Sequence, residues 1–130
     1  MDIGIDFDGT VVTHEYPNMG RDVGAVPTLK ALTQNGHRLI LNTMRSGKTL
    51  MDAVAWFNAR KIPLAGVNLH PDQHTWTTSP KVYAHMYIDD AALGTPLIQS
   101  HLPNERPFVD WDAVSTMLKE LNLLPVVSEV

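Results

Sequence analysis

Two aspartates stand one residue apart where a short apolar run near the N-terminus ends. The run comprises residues 3–5, Ile-Gly-Ile, and continues into Asp6, Phe7 and Asp8, which a Gly-Thr turn follows. Side chains alternate along a strand, but a turn at the end of the strand lets Asp6, Asp8 and neighbouring amides converge on one point. Two carboxylates at the mouth of a buried strand indicate a divalent cation and an aspartyl nucleophile.

Four further polar residues lie next to or near other short apolar runs. Residues 84–88, Ala-His-Met-Tyr-Ile, precede the acidic pair Asp89 and Asp90, Lys81 stands shortly before this run, and Thr43 follows an earlier apolar run. Phosphoryl transfer needs a nucleophile, a metal that offsets the phosphate charge, donors to the phosphate oxygens and a proton for the leaving group. These residue types meet each of those needs.

The positions of the acids assign them different roles. Asp6 is the better nucleophile because it is the last residue of its strand, where its rotamer is most restrained. Asp8 lies beyond the turn, where it can protonate the leaving alkoxide and later take a proton from water. Asp89, with help from Asp90, completes an oxygen shell suited to Mg²⁺. An alternative for Asp90 is a local hydrogen-bonding acid, because adjacent residues rarely both ligate one ion.

Substrate contacts are expected from donors near Thr43. Its hydroxyl and the amides that follow it, including that of Met44, can donate to the phosphate. Lys81 can neutralise charge and restrain the carboxylates, although a solvated surface lysine is the alternative. Arg45 can hold a second anionic or hydroxylated part of the substrate, or else form a surface ion pair.

The pattern of strands and helices explains how these residues would meet. Apolar runs at residues 38–42, 65–69 and 84–88 predict strands after the first one. Helical spacing predicts helices that begin at Val26, after Ser46-Gly47, and at a cap formed by Asp110. Strands that alternate with helices predict an α/β fold, a three-layer α/β/α sandwich with a mostly parallel sheet. Sites in such folds lie at the carboxyl ends of strands.

Three segments have weaker patterns. Residues 11–24 predict a loop or a small β-hairpin. Residues 95–107 are rich in proline and receive no assignment, and the tail after Leu124 is expected to fray.

Composition sets the broad class. At 130 residues the chain fits one domain, residues 1–130. A net charge of −4 does not favour nucleic acid as the main partner, and the lack of cysteine excludes disulfides and thiolate catalysis. No apolar stretch is long enough to span a bilayer, and the N-terminus lacks the basic region of a secretory signal. We therefore expect a cytoplasmic protein without a membrane contact.

The order of these motifs resembles the haloacid dehalogenase superfamily. Residues 6–10, Asp-Phe-Asp-Gly-Thr, look like its first motif, Thr43 like its second, Lys81 like its third, and residues 88–90, Ile-Asp-Asp, like its fourth. The resemblance covers residues 3–90, about two-thirds of the chain. It implies a Rossmann-like parallel sheet with a central first strand and a Mg²⁺-dependent phosphatase.

The resemblance also assigns individual roles. It implies that Asp6 forms a phosphoaspartate and that Asp8 is the general acid/base, with the backbone carbonyl of Asp8 on the metal. Members often carry a cap domain that closes over small substrates, but this chain has no room for one. The resemblance then implies a bulky or macromolecular phosphoester, or a site closed by another subunit of a homo-oligomer. The chain also resembles, more weakly, small capless phosphatases that act on sugar phosphates.

A receiver domain and a binding module are alternatives to this function. A signalling receiver domain also uses an acidic pair, a phosphorylated Asp, a Thr and a Lys, but it would need its phosphoacceptor at a middle strand end, whereas Asp52 falls inside a predicted helix. A binding module that retains the fold without turnover is a second alternative. His70 and His74 have the spacing of metal ligands on a helix, but Pro71 opposes a helix there, and a structural zinc needs four ligands.

Overall fold

A computed structural model of the protein describes residues 1–126. Four parallel strands form its main sheet, in the order β3-β2-β1-β4. They are β1 (Asp2–Ile5), β2 (Arg38–Leu41), β3 (Gly66–Val67) and β4 (Met86–Ile88). The central position of β1, between β2 and β4, places whatever follows β1 in the middle of one edge of the sheet.

Three α-helices connect or follow the strands: α1 (Val26–Gln34), α2 (Gly47–Ala59) and α3 (Trp111–Glu120). Pro27 lies in the first turn of α1, where its missing N–H removes no helical hydrogen bond. Asp110 caps α3, because its carboxylate accepts a hydrogen bond from the amide of Ala113 at 3.1 Å. The predicted α/β fold with a parallel sheet is confirmed, and each predicted helix is present.

The two faces of the sheet are covered differently. Ile3 and Ile5 on β1, with Leu39 and Leu41 beside them on β2, join one buried cluster with residues of all three α-helices. Residues 69–84, which contain a short 3₁₀ helix (Gln73–Thr75), approach the opposite face, where His70 contacts Asp2 on β1 and the hydroxyl of Tyr87 on β4 donates to the carbonyl of Val82. Three layers therefore result, and the third is an irregular segment held by polar contacts and by packing among the rings of His70, Trp76 and Tyr83.

Two segments have structure that the sequence pattern did not specify. Residues 11–24 form a loop with isolated bridges at Val12, in keeping with the predicted loop or hairpin. Residues 95–107, which received no assignment, contain β5 (Leu97–Ile98), and this strand pairs in antiparallel fashion with β6 (Phe108–Val109). The predicted frayed tail extends into residues 127–130, which lie outside the described residues. Within residues 1–126, no helix has the length and apolar character needed to cross a membrane.

Candidate active site

Three carboxylates meet at the carboxyl end of the sheet. Asp6 directly follows β1, and Asp89 and Asp90 directly follow β4. Because Ile5 pairs with Ile88 in parallel register, the two strands end at the same level, and the amide of Asp6 donates to the carbonyl of Ile88 at 3.0 Å. One oxygen from each of Asp6, Asp89 and Asp90 lies within 4.8 Å of the other two. We call these three residues the carboxylate cluster.

The surroundings of Asp6 in the carboxylate cluster raise its proton affinity. Burial, a hydrogen bond with Asp90 and the negative charge of Asp89 raise the pKa of Asp6 to about 8. Burial also acts to raise the pKa of Asp90, but hydrogen bonds from Asp6 and His14 outweigh it and lower that pKa. Without a cation, Asp6 therefore keeps a proton that it shares with Asp90.

The donor set fits a hard divalent cation. Mg²⁺ binds oxygen at about 2.1 Å, so its ligands lie up to roughly 4.2 Å apart, and small side-chain adjustments would bring the three oxygens into that range. No lysine or arginine forms an ion pair with the carboxylate cluster among residues 1–126. Asp6, Asp89 and Asp90 are thus the residues that could hold Mg²⁺, and a cation there would offset charge that the chain itself leaves uncompensated.

Thr10 connects two members of the carboxylate cluster. Its buried hydroxyl donates to Asp6 Oδ2 at 2.8 Å and accepts from the amide of Asp90 at 3.1 Å. The indole Nε1 of Trp111 donates to the carbonyl of Thr10 at 2.6 Å, which ties α3 to the same turn. Thr10 belongs to the first motif, but sequence reasoning assigned it no role of its own.

His14 is a site residue that sequence reasoning missed. Its Nε2 lies 2.8 Å from Asp90 Oδ2, and both side chains are largely buried. His14 stands in the aperiodic segment 11–24, so no spacing signal marked it.

Asp8 and Arg45 form a pair next to the carboxylate cluster. Nε and Nη2 of Arg45 each donate to one oxygen of Asp8 at 2.7 Å. Arg45 is only 2% exposed, and it also donates to the carbonyl of Asn18 at 2.8 Å. The Asp8 carboxylate consequently stands apart from the three oxygens that could share one ion. The expectation that Arg45 grips the substrate is corrected, because its guanidinium is buried and already bound to Asp8.

The loop after β2 offers fewer free donors than expected. The amide of Thr43 donates to Asn68 Oδ1 at 2.8 Å, and the amide of Arg45 donates to Thr43 Oγ1 at 3.1 Å. The amide of Met44 has no acceptor within residues 1–126, and the Met44 side chain is 98% exposed. The Thr43 hydroxyl proton and the Met44 amide are therefore the donors available to a phosphate. Asn68 is a second residue that sequence reasoning missed.

Lys81 is not brought to the carboxylate cluster. It is exposed in the segment that covers the other face of the sheet, and its Nζ lies 6.0 Å from the ring centroid of Tyr87. Lys81 forms no ion pair with a carboxylate of residues 1–126. The expectation that it restrains the acids is corrected, because the irregular third layer carries Lys81 toward Tyr87 instead.

The histidines at positions 70 and 74 have separate environments. His70 is buried and its Nε2 lies 2.7 Å from Asp2 Oδ2, whereas His74 is exposed. Arg38 Nε donates to the other oxygen of Asp2 at 2.8 Å. We call Asp2, Arg38 and His70 the polar anchor, because they attach the third layer to the first strand. Asp52, the candidate phosphoacceptor of a receiver domain, lies in α2 and pairs with Lys48 at 3.1 Å.

Comparison with known proteins gives one informative likeness. No family model matches the chain, and no curated protein matches it. Among solved structures, the chain is similar to a conserved protein from Bacteroides thetaiotaomicron that is described by its gene locus. The two share 37% identity with a TM-score of 0.75, over 93% of this chain and 91% of the other. That description gives no activity, so chemistry must be argued from the site.

Proposed function

We propose that this chain, which belongs to the same protein family as the conserved Bacteroides thetaiotaomicron protein, is a Mg²⁺-dependent phosphomonoester hydrolase. The observation that carries the proposal is the carboxylate cluster, three acids within 4.8 Å at adjacent strand ends. Like charges at this separation oppose one another unless a proton or a cation lies between them. Groups whose pKa is strongly shifted, as that of Asp6 is, cluster at functional sites.

The proposed metal ligands are the carboxylates of Asp6, Asp89 and Asp90 together with the carbonyl oxygen of Asp8. That carbonyl accepts no hydrogen bond from residues 1–126, so it remains available to an ion. Bound Mg²⁺ would supply charge compensation for the phosphate and for the acids around it. The haloacid dehalogenase resemblance likewise implies that the backbone carbonyl of Asp8 contacts the metal.

Asp6 is the proposed nucleophile. An Asp6 oxygen would form a bond to phosphorus while the bond from phosphorus to the ester oxygen breaks, which gives a phosphoaspartate and an alkoxide. The Thr10 hydroxyl donates to Asp6 Oδ2, which restrains the orientation of the carboxylate. The hydroxyl of Thr43 and the amide of Met44 would donate to the other phosphate oxygens.

Asp8 is the proposed general acid/base. It would give a proton to the leaving alkoxide and later take one from the water that hydrolyses the phosphoaspartate. Arg45 donates one hydrogen bond to each oxygen of Asp8, and each oxygen keeps a second lone pair at which a proton can bind. Arg45 is therefore a positioning residue in this proposal and makes no contact with the substrate.

The substrate class proposed is a phosphomonoester whose leaving group extends out of the site. The exposed Met44 side chain stands beside the proposed phosphate donors, and no separate cap is present among residues 1–126. A sugar phosphate or a bulkier phosphoester fits such an open site. A cytoplasmic location and a homo-oligomer stay predictions.

Hydrolysis of p-nitrophenyl phosphate with and without Mg²⁺ tests the proposal. We expect turnover by the wild-type chain that requires Mg²⁺ and is lost in Asp6→Asn. Asp52→Asn is the matched control, because it removes a carboxylate from α2 and should keep full activity. Equal rates with Mg²⁺ and with EDTA, or retained activity in Asp6→Asn, would contradict the proposal. Absence of release from this ester and from a panel of phosphorylated sugars, nucleotides and phosphopeptides would favour the binding module.

A further inference from the structure

His14 touches the carboxylate cluster through a single short contact. Its Nε2 lies 2.8 Å from Asp90 Oδ2, with the two side chains 16% and 11% exposed. An ionised carboxylate only accepts hydrogen bonds, so the proton of this bond belongs to His14 Nε2. A donor that is shielded from water in this way fixes the orientation of its acceptor.

The other contacts of the Asp90 side chain are weaker. The hydroxyl of Thr10 lies 3.4 Å from Asp90 Oδ1 but 2.8 Å from Asp6 Oδ2. A hydroxyl has one proton to donate, and the shorter distance assigns it to Asp6. Among residues 1–126, His14 is therefore the donor outside the carboxylate cluster that holds Asp90 at short range.

The first motif is shaped around this contact. A Cβ added to Gly9 would lie 1.9 Å from His14 Nε2 and 2.5 Å from Asp90 Oδ2. Any side chain at position 9 would thus displace the pair, quite apart from the positive φ of 80° at Gly9. The bare backbone at this position lets His14 reach across the motif to Asp90.

We infer that His14 is a positioning residue whose hydrogen bond to Asp90 prepares the carboxylate cluster for its cation. With Oδ2 held by His14, Oδ1 of Asp90 lies 3.4 Å from the Thr10 hydroxyl that donates to Asp6. The inference deepens the proposed function and rests on it for the metal. Partners that orient a metal ligand are typically worth 10–100-fold in metal affinity.

A calorimetric titration of Mg²⁺ into the purified chain tests the role of His14 without any substrate. We expect His14→Ala to weaken Mg²⁺ binding by about 10–100-fold. His14→Gln places an amide nitrogen near the position of Nε2 and should restore binding to within about 3-fold, whereas the shorter His14→Asn should behave like His14→Ala. The Gln and Asn variants differ by one methylene, so a general loss of packing would affect both. Melting in EDTA confirms that each variant is folded.

A second titration asks whether His14 acts through Asp90. In an Asp90→Ala background, His14→Ala should change Mg²⁺ affinity by less than about 3-fold, because the acceptor of the His14 hydrogen bond is already absent. An unchanged affinity in His14→Ala, an equal loss in the Gln and Asn variants, or no Mg²⁺ binding by the wild-type chain would overturn the inference. Mg²⁺ binding that depends on His14 in a chain that hydrolyses no phosphoester would leave the inference intact and remove only the proposed reaction.

Discussion

The two ends of the first strand carry aspartates in opposite electrostatic situations. At the amino end, Asp2 accepts from Arg38 at 2.8 Å and contacts His70 at 2.7 Å. The hydrogen bond from Arg38 holds the pKa of Asp2 well below its ordinary value, in spite of burial. At the carboxyl end, burial and two neighbouring acids raise the pKa of Asp6 to about 8.

The difference shows how an acid that holds the fold together differs from one available for chemistry. The polar anchor contains its own cation, Arg38, so the negative charge of Asp2 is compensated as the chain folds. The carboxylate cluster has no lysine or arginine partner in the described part of the chain, so compensation of its negative charge depends on a bound cation. The Asp8 and Arg45 pair combines both situations, because it lies beside the cluster but is compensated internally.

The largest expected contrast between the two ends is in catalysis. Asp6→Asn should lower kcat for p-nitrophenyl phosphate by about 10³-fold or more, because an amide is a poor nucleophile. Asp2→Asn should leave kcat unchanged at a temperature at which the variant remains folded. Initial rates at saturating Mg²⁺ measure both. A similar loss in both variants would mean that the two ends do not differ in role.

The next contrast is in folding stability, where the Asp2 variant and not the Asp6 variant should show the larger effect. Asp2→Asn should lower the free energy of unfolding by about 2 kcal/mol, because an amide loses charged hydrogen bonds from Arg38 and His70. Asp6→Asn should not destabilise the chain in EDTA, since a neutral amide replaces a carboxyl group that is already protonated in the folded chain. Urea denaturation in EDTA gives both values. A lower free energy of unfolding for Asp6→Asn than for Asp2→Asn would contradict the assignment of Asp2, and not Asp6, to fold stability.

The smallest contrast is in the pH dependence of stability. Between pH about 4 and about 8 the folded chain keeps a proton on Asp6 that the unfolded chain has released, so stability falls as pH rises through this window. Asp2 acts in the reverse sense, because its contribution is present above the ordinary pKa of an aspartate and is lost as pH falls through its lower folded pKa.

Melting curves in EDTA from pH 5 to pH 8 isolate the Asp6 contribution. We expect the wild-type chain to lose at least about 1 kcal/mol of stability across this range. The loss should disappear in Asp6→Asn and shrink in saturating Mg²⁺, which would replace the proton. A wild-type profile that coincides with that of Asp6→Asn would show that Asp6 ionises normally.

Sequence alone was sufficient where local pattern decides structure. The run that ends at Asp6 and the run that ends at Asp89 were recognisable as strands, and parallel pairing then brings their ends together. The cap at Asp110 and the stop at Gly36, with φ of 87°, are local signals of the same kind.

Sequence was insufficient where long-range contacts decide. Arg45 stands two residues after Thr43, a spacing compatible with substrate contact, but its burial against Asp8 depends on how the segment containing Asn18 packs. His14 reaches Asp90 across 76 residues of sequence, and Lys81 follows an irregular segment whose path has no periodic signal. No propensity rule specifies contacts of this kind.

A direct test of the whole account is the site of covalent phosphorylation during turnover. The wild-type chain would be mixed with a radiolabelled phosphoester and Mg²⁺, quenched in acid within the first turnovers, digested and mapped by peptide sequencing. We predict label on the peptide that contains Asp6, absent when Mg²⁺ is withheld and absent in Asp6→Asn. Turnover with no labelled peptide, or with label on a residue other than Asp6, would contradict the account.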